Sequence, residues 1–272
     1  MGRTLCLLLH ANGLCKNVWR PFAASLARQL KVDLKLQSNR RQEVLSWSVG
    51  DLQLLSLDLK GHGLAAARSS KEVDWMEWKR QVEEVLDDFV AEMPEAPDKI
   101  VGVGHSLGGA ALLLTQAARS RFSSIYIFEP MYLFVEEKLA SMVGLPIINS
   151  ERWVPPLVEK TLRRRSLWAN RQEAELDLSS KRFFAAWDEG ARQGYFEGGL
   201  IGDQPTRLAC SPVDEAAVFS SGVPVQLLEE LRKPNGLESC FLHVTIGQKE
   251  TLWNLPVAQE IFGGGGKPHV AC

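Results

Sequence analysis

Several things are scarce in this sequence. An excess of charge is missing: 31 Lys and Arg stand against 33 Asp and Glu, a net −2 over 272 residues. That balance argues against nucleic acid or an acidic membrane surface as partner. Long apolar runs are missing too, since no segment reaches the ~18 continuous apolar residues needed to cross a bilayer. The opening MGRTLCLLLHANG has an Arg and a short apolar run, but His10 and Asn12 break it and no small-residue cleavage site follows. It therefore reads as a first core strand rather than a signal peptide. Cysteines are few and odd in number (6, 15, 210, 240 and 272), with no CxxC pair, and Cys6 and Cys240 fall in apparent core strands. This argues against a disulfide framework and for reduced thiols in an intracellular, cytoplasmic protein. The five histidines are scattered, so no metal is expected, and no cofactor. There is no internal repeat, and the one low-complexity piece, GGGG at 263–266, reads as a loop.

What is present suits a full hydrophobic core. Apolar residues make up 45% and charged residues 24%, ordinary for a globular protein, and this length often forms a single α/β unit. TLCLLL at 4–9 is uninterruptedly apolar, as in a strand buried on both faces. VWRPFAASLARQL at 18–30 has helical spacing of Trp19, Phe22, Leu26 and Leu30, and residues 37–50 look like a polar surface insertion. DLQLLSLDLKGHG then supplies a strand and a turn. DWMEWKRQVEEVLDDFVAEM, 74–93, predicts an amphipathic helix capped by Asp74. KIVGVGHS and SSIYIFEP are the next two strands.

Strands alternate with helices, which predicts a mostly parallel, doubly wound α/β sheet. After Pro130 the pattern changes. Residues 131–221 are rich in Arg, Glu and Trp, look helical, and predict an inserted cap over the strand ends. CFLHVTIG at 240–247 returns to strand. The expected division is 1–130 and 222–272 as core and 131–221 as cap.

The stretch VGVGHSLGGAALLL raises the chemical question. Strand, sharp turn and helix succeed one another with Ser106 at the apex, the context in which a Gly-x-Ser-x-Gly turn lifts a nucleophile clear of a sheet. HANG after the first strand, DLKGHG after a later one and GHSLGG after the next lie in the order and rough spacing of the α/β-hydrolase fold. Together with YIFEP they make about two thirds of the chain resemble that superfamily, and more closely its serine-nucleophile, esterase-like members.

The resemblance implies Ser106 as nucleophile, with oxyanion donors from the backbone N–H of Leu107 and from the loop holding Asn12. Ala11 stands where relatives more often have Gly, which is tolerable at negative φ. His10 is expected to order that loop, and Asp58 to shape its turn. His105 reads equally as pocket wall or packed turn residue. Two positions suit the triad acid: Glu129, ending the apolar strand IYIFEP, and Glu250 in IGQKE after the next strand. For the base, His243 lies within a strand, too early in the chain order. His269 is the histidine that follows Glu250. Either His269 is the base, or KPHVAC begins the last strand and the chain stops before its base.

The implied activity is hydrolysis of a small ester-like substrate through an acyl-serine. The aromatic residues Trp153, Trp168, Phe183, Phe184 and Trp187 would favour an apolar group or form the cap's own core. The alternative is an impaired or truncated member of the fold that binds a ligand or partner.

Overall fold

The computed structural model of the chain describes residues 2–65, 73–131, 156–221, 240–245 and 269–271. Its frame is an eight-stranded sheet in the order β11-β10-β6-β5-β1-β4-β3-β2. Strand β1 (Thr4–Leu9) is the apolar run already noted, and all its residues from Leu5 on are buried. A 3-10 turn (Lys16–Trp19) leads into helix α1 (Arg20–Leu30). Next come β2 (Leu34–Gln37), β3 (Val44–Val49), β4 (Leu52–Leu57) and helix α2 (Trp75–Glu92). Strand β5 (Lys99–His105), helix α3 (Leu107–Ala118) and β6 (Ser124–Phe128) follow. Strands β10 (Phe241–Thr245) and β11 (His269–Ala271) complete the sheet.

The pairs from β4 through β1, β5, β6 and β10 to β11 are parallel. Strands β2 and β3 add an antiparallel edge, where a polar surface insertion was expected over 37–50. The reason is visible in β3: Val44, Trp47 and Val49 are buried, and so is Ser46. A strand that interleaves serines with apolar residues looks polar in sequence yet packs like a core strand.

The two sheet faces are covered by different helices. Leu5, Leu7 and Leu9 of β1 share a core with Trp75, Trp78, Val82 and Leu86 of α2 and with Ala111 and Leu112 of α3. Cys6 and Leu8, alternating with them, face Ala23 and Ala27 of α1 and Trp47. Each large side chain so buried contributes roughly 1.5–3 kcal/mol. Asp74 caps α2, its carboxylate accepting the Met76 N–H at 2.9 Å. In α1 the fully buried residues are Ala23 and Ala27, while Phe22 is 36% and Leu30 51% exposed. Small residues let this helix lie close on the sheet, and the large apolar ones of the predicted face are left at its margins.

Residues 156–221 form helices α4 (Pro156–Leu162), α5 (Arg171–Ser179), α6 (Arg182–Ala185), α7 (Glu189–Gly199) and α8 (Pro212–Ser220). They also hold a small sheet of β7 (Leu167–Trp168), β9 (Thr206–Leu208) and β8 (Leu200–Ile201), where helix alone was expected. Strands of two or three residues show no periodicity to read. Trp168, Phe184, Tyr195 and Phe196 are buried in a cluster that also takes in Cys15.

Candidate active site

After β1 the chain runs to the edge strand β2, returns through β3 to β4 beside β1, then crosses β1 to place β5 on its other side. The sheet order therefore reverses between β1 and β5, and the crevice outside their C-terminal ends is where open α/β sheets place ligands. Ser106 follows β5 at that crevice, and the loop His10–Gly13 follows β1.

Ser106 has φ 52° and ψ −112°, a conformation that costs a non-glycine residue on the order of 1–3 kcal/mol. Two glycines make the turn possible. A Cβ on Gly104 would stand 2.6 Å from the Gly109 nitrogen, and one on Gly108 would stand 2.4 Å from the Leu9 carbonyl oxygen. Helix α3 can thus start directly against the ends of β5 and β1. The Ser106 N–H donates to the Phe128 carbonyl at 3.0 Å. Among the described residues the Ser106 hydroxyl has no hydrogen-bond partner, and the Leu107 N–H, in the first turn of α3, has no acceptor.

The loop after β1 is fixed from four sides. Leu14 N–H donates to Ala11 O at 3.1 Å. His10 Nδ1 lies 2.8 Å from the Ala11 carbonyl, and His10 Nε2 accepts the Leu59 N–H at 3.0 Å, so the proton belongs on Nδ1. Burial holds the His10 pKa down to about 4, with Lys16 and His105 pushing the same way. His10 is therefore a neutral brace. The Asn12 amide is held at both ends: Nδ2 donates to the Glu215 carbonyl at 2.9 Å, and Oδ1 faces His62 Nε2 at 3.1 Å. The Asn12 backbone N–H has no acceptor among the described residues. Ala11 keeps a negative φ, and Gly13 has φ 75°.

Asp58 is structural in geometry. It accepts the Lys16 N–H at 2.7 Å, Lys16 Nζ at 2.6 Å and the Leu64 N–H at 2.8 Å. A Cβ on Gly63 would lie 2.2 Å from its carboxyl. Burial pushes the Asp58 pKa up, and Lys16 opposes that shift. His105 is held below its usual pKa by burial, which suits a neutral wall.

Glu129 ends β6. His105 pairs with Phe128, so Ser106 and Glu129 are the next residues on adjacent strands. Glu129 also has a positive φ, 44°, and its N–H donates to the Thr245 carbonyl at 2.9 Å. Glu250 lies outside the described residues. His269 is not brought to Ser106. It pairs with His243, which pairs with Tyr126, which pairs with Val103. Its backbone thus lies in the row of Val103, three strands from β5, roughly 14 Å across the sheet and about 10 Å along it from Ser106. Within KPHVAC, His269–Ala271 form a strand, and His243 sits in the same row.

Three residues around this site went unremarked in sequence. His62 orients Asn12, Glu215 receives its amide, and Arg164 pairs with Glu215. His62 had a visible signal in the GHG turn. Glu215, 203 residues from Asn12 in the chain, had none. Among the described residues no group of three or more His, Cys, Asp or Glu could hold a metal, and no helix is long and apolar enough to cross a membrane.

A serine raised at positive φ between strand and helix, at the switch point of a doubly wound sheet, defines an α/β-hydrolase-type protein. The chain belongs to the Alpha/beta hydrolase family, whose pattern matches residues 6–245. Among curated proteins it is 33% identical over 90 residues to the abhydrolase domain-containing protein AFT2-1 of Alternaria alternata. That match covers 33% of this chain and 29% of the relative. Among solved structures it resembles the peroxisomal alpha-beta-hydrolase Lpx1 of Saccharomyces cerevisiae, with TM-score 0.70 and 16% identity, over 99% of this chain and 68% of that one. It also resembles an E-2-(acetamidomethylene)succinate hydrolase, with TM-score 0.61 and 13% identity, over 99% and 83%. Identities this low show the fold alone.

Proposed function

We propose that the chain is a serine hydrolase acting on a small ester-like substrate, with Ser106 as nucleophile. The observation that carries the reading is the Ser106 hydroxyl and the N–H groups of Leu107 and Asn12, all without a partner among the described residues, where β5 and β1 end. In the proposed reaction Ser106 Oγ bonds to the acyl carbon while its proton passes to a base. The carbonyl oxygen becomes an oxyanion between the two N–H groups, and one such donor is worth ~2.7–4 kcal/mol in the transition state. The alcohol leaves with the proton, and water then attacks the acyl-serine to release the acid and restore Oγ–H.

Glu129, on the strand end beside Ser106, is the acid favoured here over Glu250 because it occupies the same edge with a strained backbone. The base is assigned to no histidine among the described residues. The 156–221 segment serves as cap. Its aromatic residues Trp168 and Phe184 pack in a cluster with Cys15 of the loop after β1. Trp153 lies outside the described residues. The reduced thiols of Cys6, Cys15, Cys210 and Cys240 support a cytoplasmic setting.

The register of His269 favours a second reading, a member of the fold that binds a ligand without turning it over. A fluorophosphonate probe separates the two. Labelling of the chain that disappears in Ser106→Ala, together with p-nitrophenyl butyrate turnover, supports the hydrolase. Labelling no faster than in Ser106→Ala would leave the binding reading.

A further inference from the structure

One buried ion pair contributes nothing to the chemistry above, yet it touches the loop that the chemistry needs. Glu215, on α8, is 6% exposed and pairs with Arg164, which follows α4. The charge of Arg164 also acts on Tyr195 of α7, and Tyr195 is 1% exposed. Three helical elements thus converge on one carboxylate. Replacing such a pair by apolar residues often leaves stability unchanged or improved, so stability alone is a poor account of it.

Its contacts suggest another role. The Glu215 carbonyl receives the Asn12 amide at 2.9 Å. The carboxylate lies against Gly13 so closely that a Cβ there would stand 2.6 Å from Oε1. Arg164 closes on the other carboxylate oxygen. Asn12 and Gly13 are therefore gripped by one short stretch of the 156–221 segment, and the orientation of the Asn12 N–H follows from that grip.

We propose that Arg164 and Glu215 are a positioning pair that holds the oxyanion loop from the 156–221 segment, so that donor geometry depends on α8 staying seated. The proposal rests on the hydrolase reading for its consequence in catalysis, but the positioning itself does not need turnover to be seen.

The test is amide hydrogen exchange over residues 10–14 in the full chain, in Arg164→Met and in Arg164→Lys, with α3 and α7 as references. Loop exchange faster by about tenfold or more in Arg164→Met, with α3 and α7 unchanged and Arg164→Lys between, is expected for a local clamp. Equal exchange in all three proteins overturns the proposal. So does faster exchange spread evenly through α7, which would make the pair a brace of its own segment. In the same proteins kcat should fall about tenfold or more in Arg164→Met with KM nearly unchanged, because the loop acts in the transition state. A wild type that neither labels nor turns over ends the hydrolase reading, while the exchange result still decides the positioning.

Discussion

Lowering the pH should weaken this protein through His10, and the size of the effect follows from its surroundings. The imidazole is 0% exposed, with Nδ1 directed at Ala11 O and Nε2 occupied by the Leu59 N–H. Protonation would break the second bond and bury a charge. Its folded pKa is accordingly lowered from 6.5 to about 4. The unfolded chain takes up the proton first as pH falls, so the unfolded state gains and stability is lost from about pH 6.5 down to about pH 4. The loss from this one group is about 2 kcal/mol between pH 7 and pH 5.

Other groups titrate in the same interval. Glu215, for one, has its pKa raised by burial, which acts in the opposite sense. A comparison with His10→Asn isolates the histidine. Asparagine can still donate to Ala11 O but leaves the Leu59 N–H without its acceptor, a cost of about 1–3 kcal/mol at pH 7. Urea unfolding of both proteins at pH 7 and pH 5 should show that gap shrinking by about 2 kcal/mol at the lower pH. A gap of the same size at both pH values would refute the argument, because His10 would then bear no proton linkage.

Two further substitutions test the frame of the site. Gly108→Ala puts a methyl group 2.4 Å from the Leu9 carbonyl oxygen, so it should cost about 3 kcal/mol or more. Gly50→Ala, at φ 60° with its nearest contact at 3.6 Å, should cost only about 1 kcal/mol; equal losses in thermal denaturation would discredit the close-approach account. Lys16→Met leaves the Asp58 carboxylate buried and unpaired by its ammonium, at a cost of about 3–5 kcal/mol. Lys16→Met with Asp58→Asn should recover at least half of that loss by the same measure, since the asparagine carbonyl still accepts a backbone N–H. No recovery would mean that lost packing of the lysine stem, and not charge, sets the cost.

The residues themselves determined whatever depends on near neighbours. The apolar run of β1, the Asp74 cap, the Ser106 turn between β5 and α3 and its glycines were readable because strand burial, capping and tight turns use residues a few places apart. Family likeness in HANG, DLKGHG and GHSLGG indicated the fold. Strand β3 escaped because serine in a buried strand carries no hydrophobic signal, and β7 to β9 because they are too short for a period. Only the tertiary structure decided that the Asn12 side chain is tied to Glu215 and His62. Only strand register, which no local pattern encodes, removed His269 from Ser106 by three strands. Long-range pairing of this kind is set by which surfaces bury one another when the chain collapses, and that is a property of the whole core and of no short stretch within it.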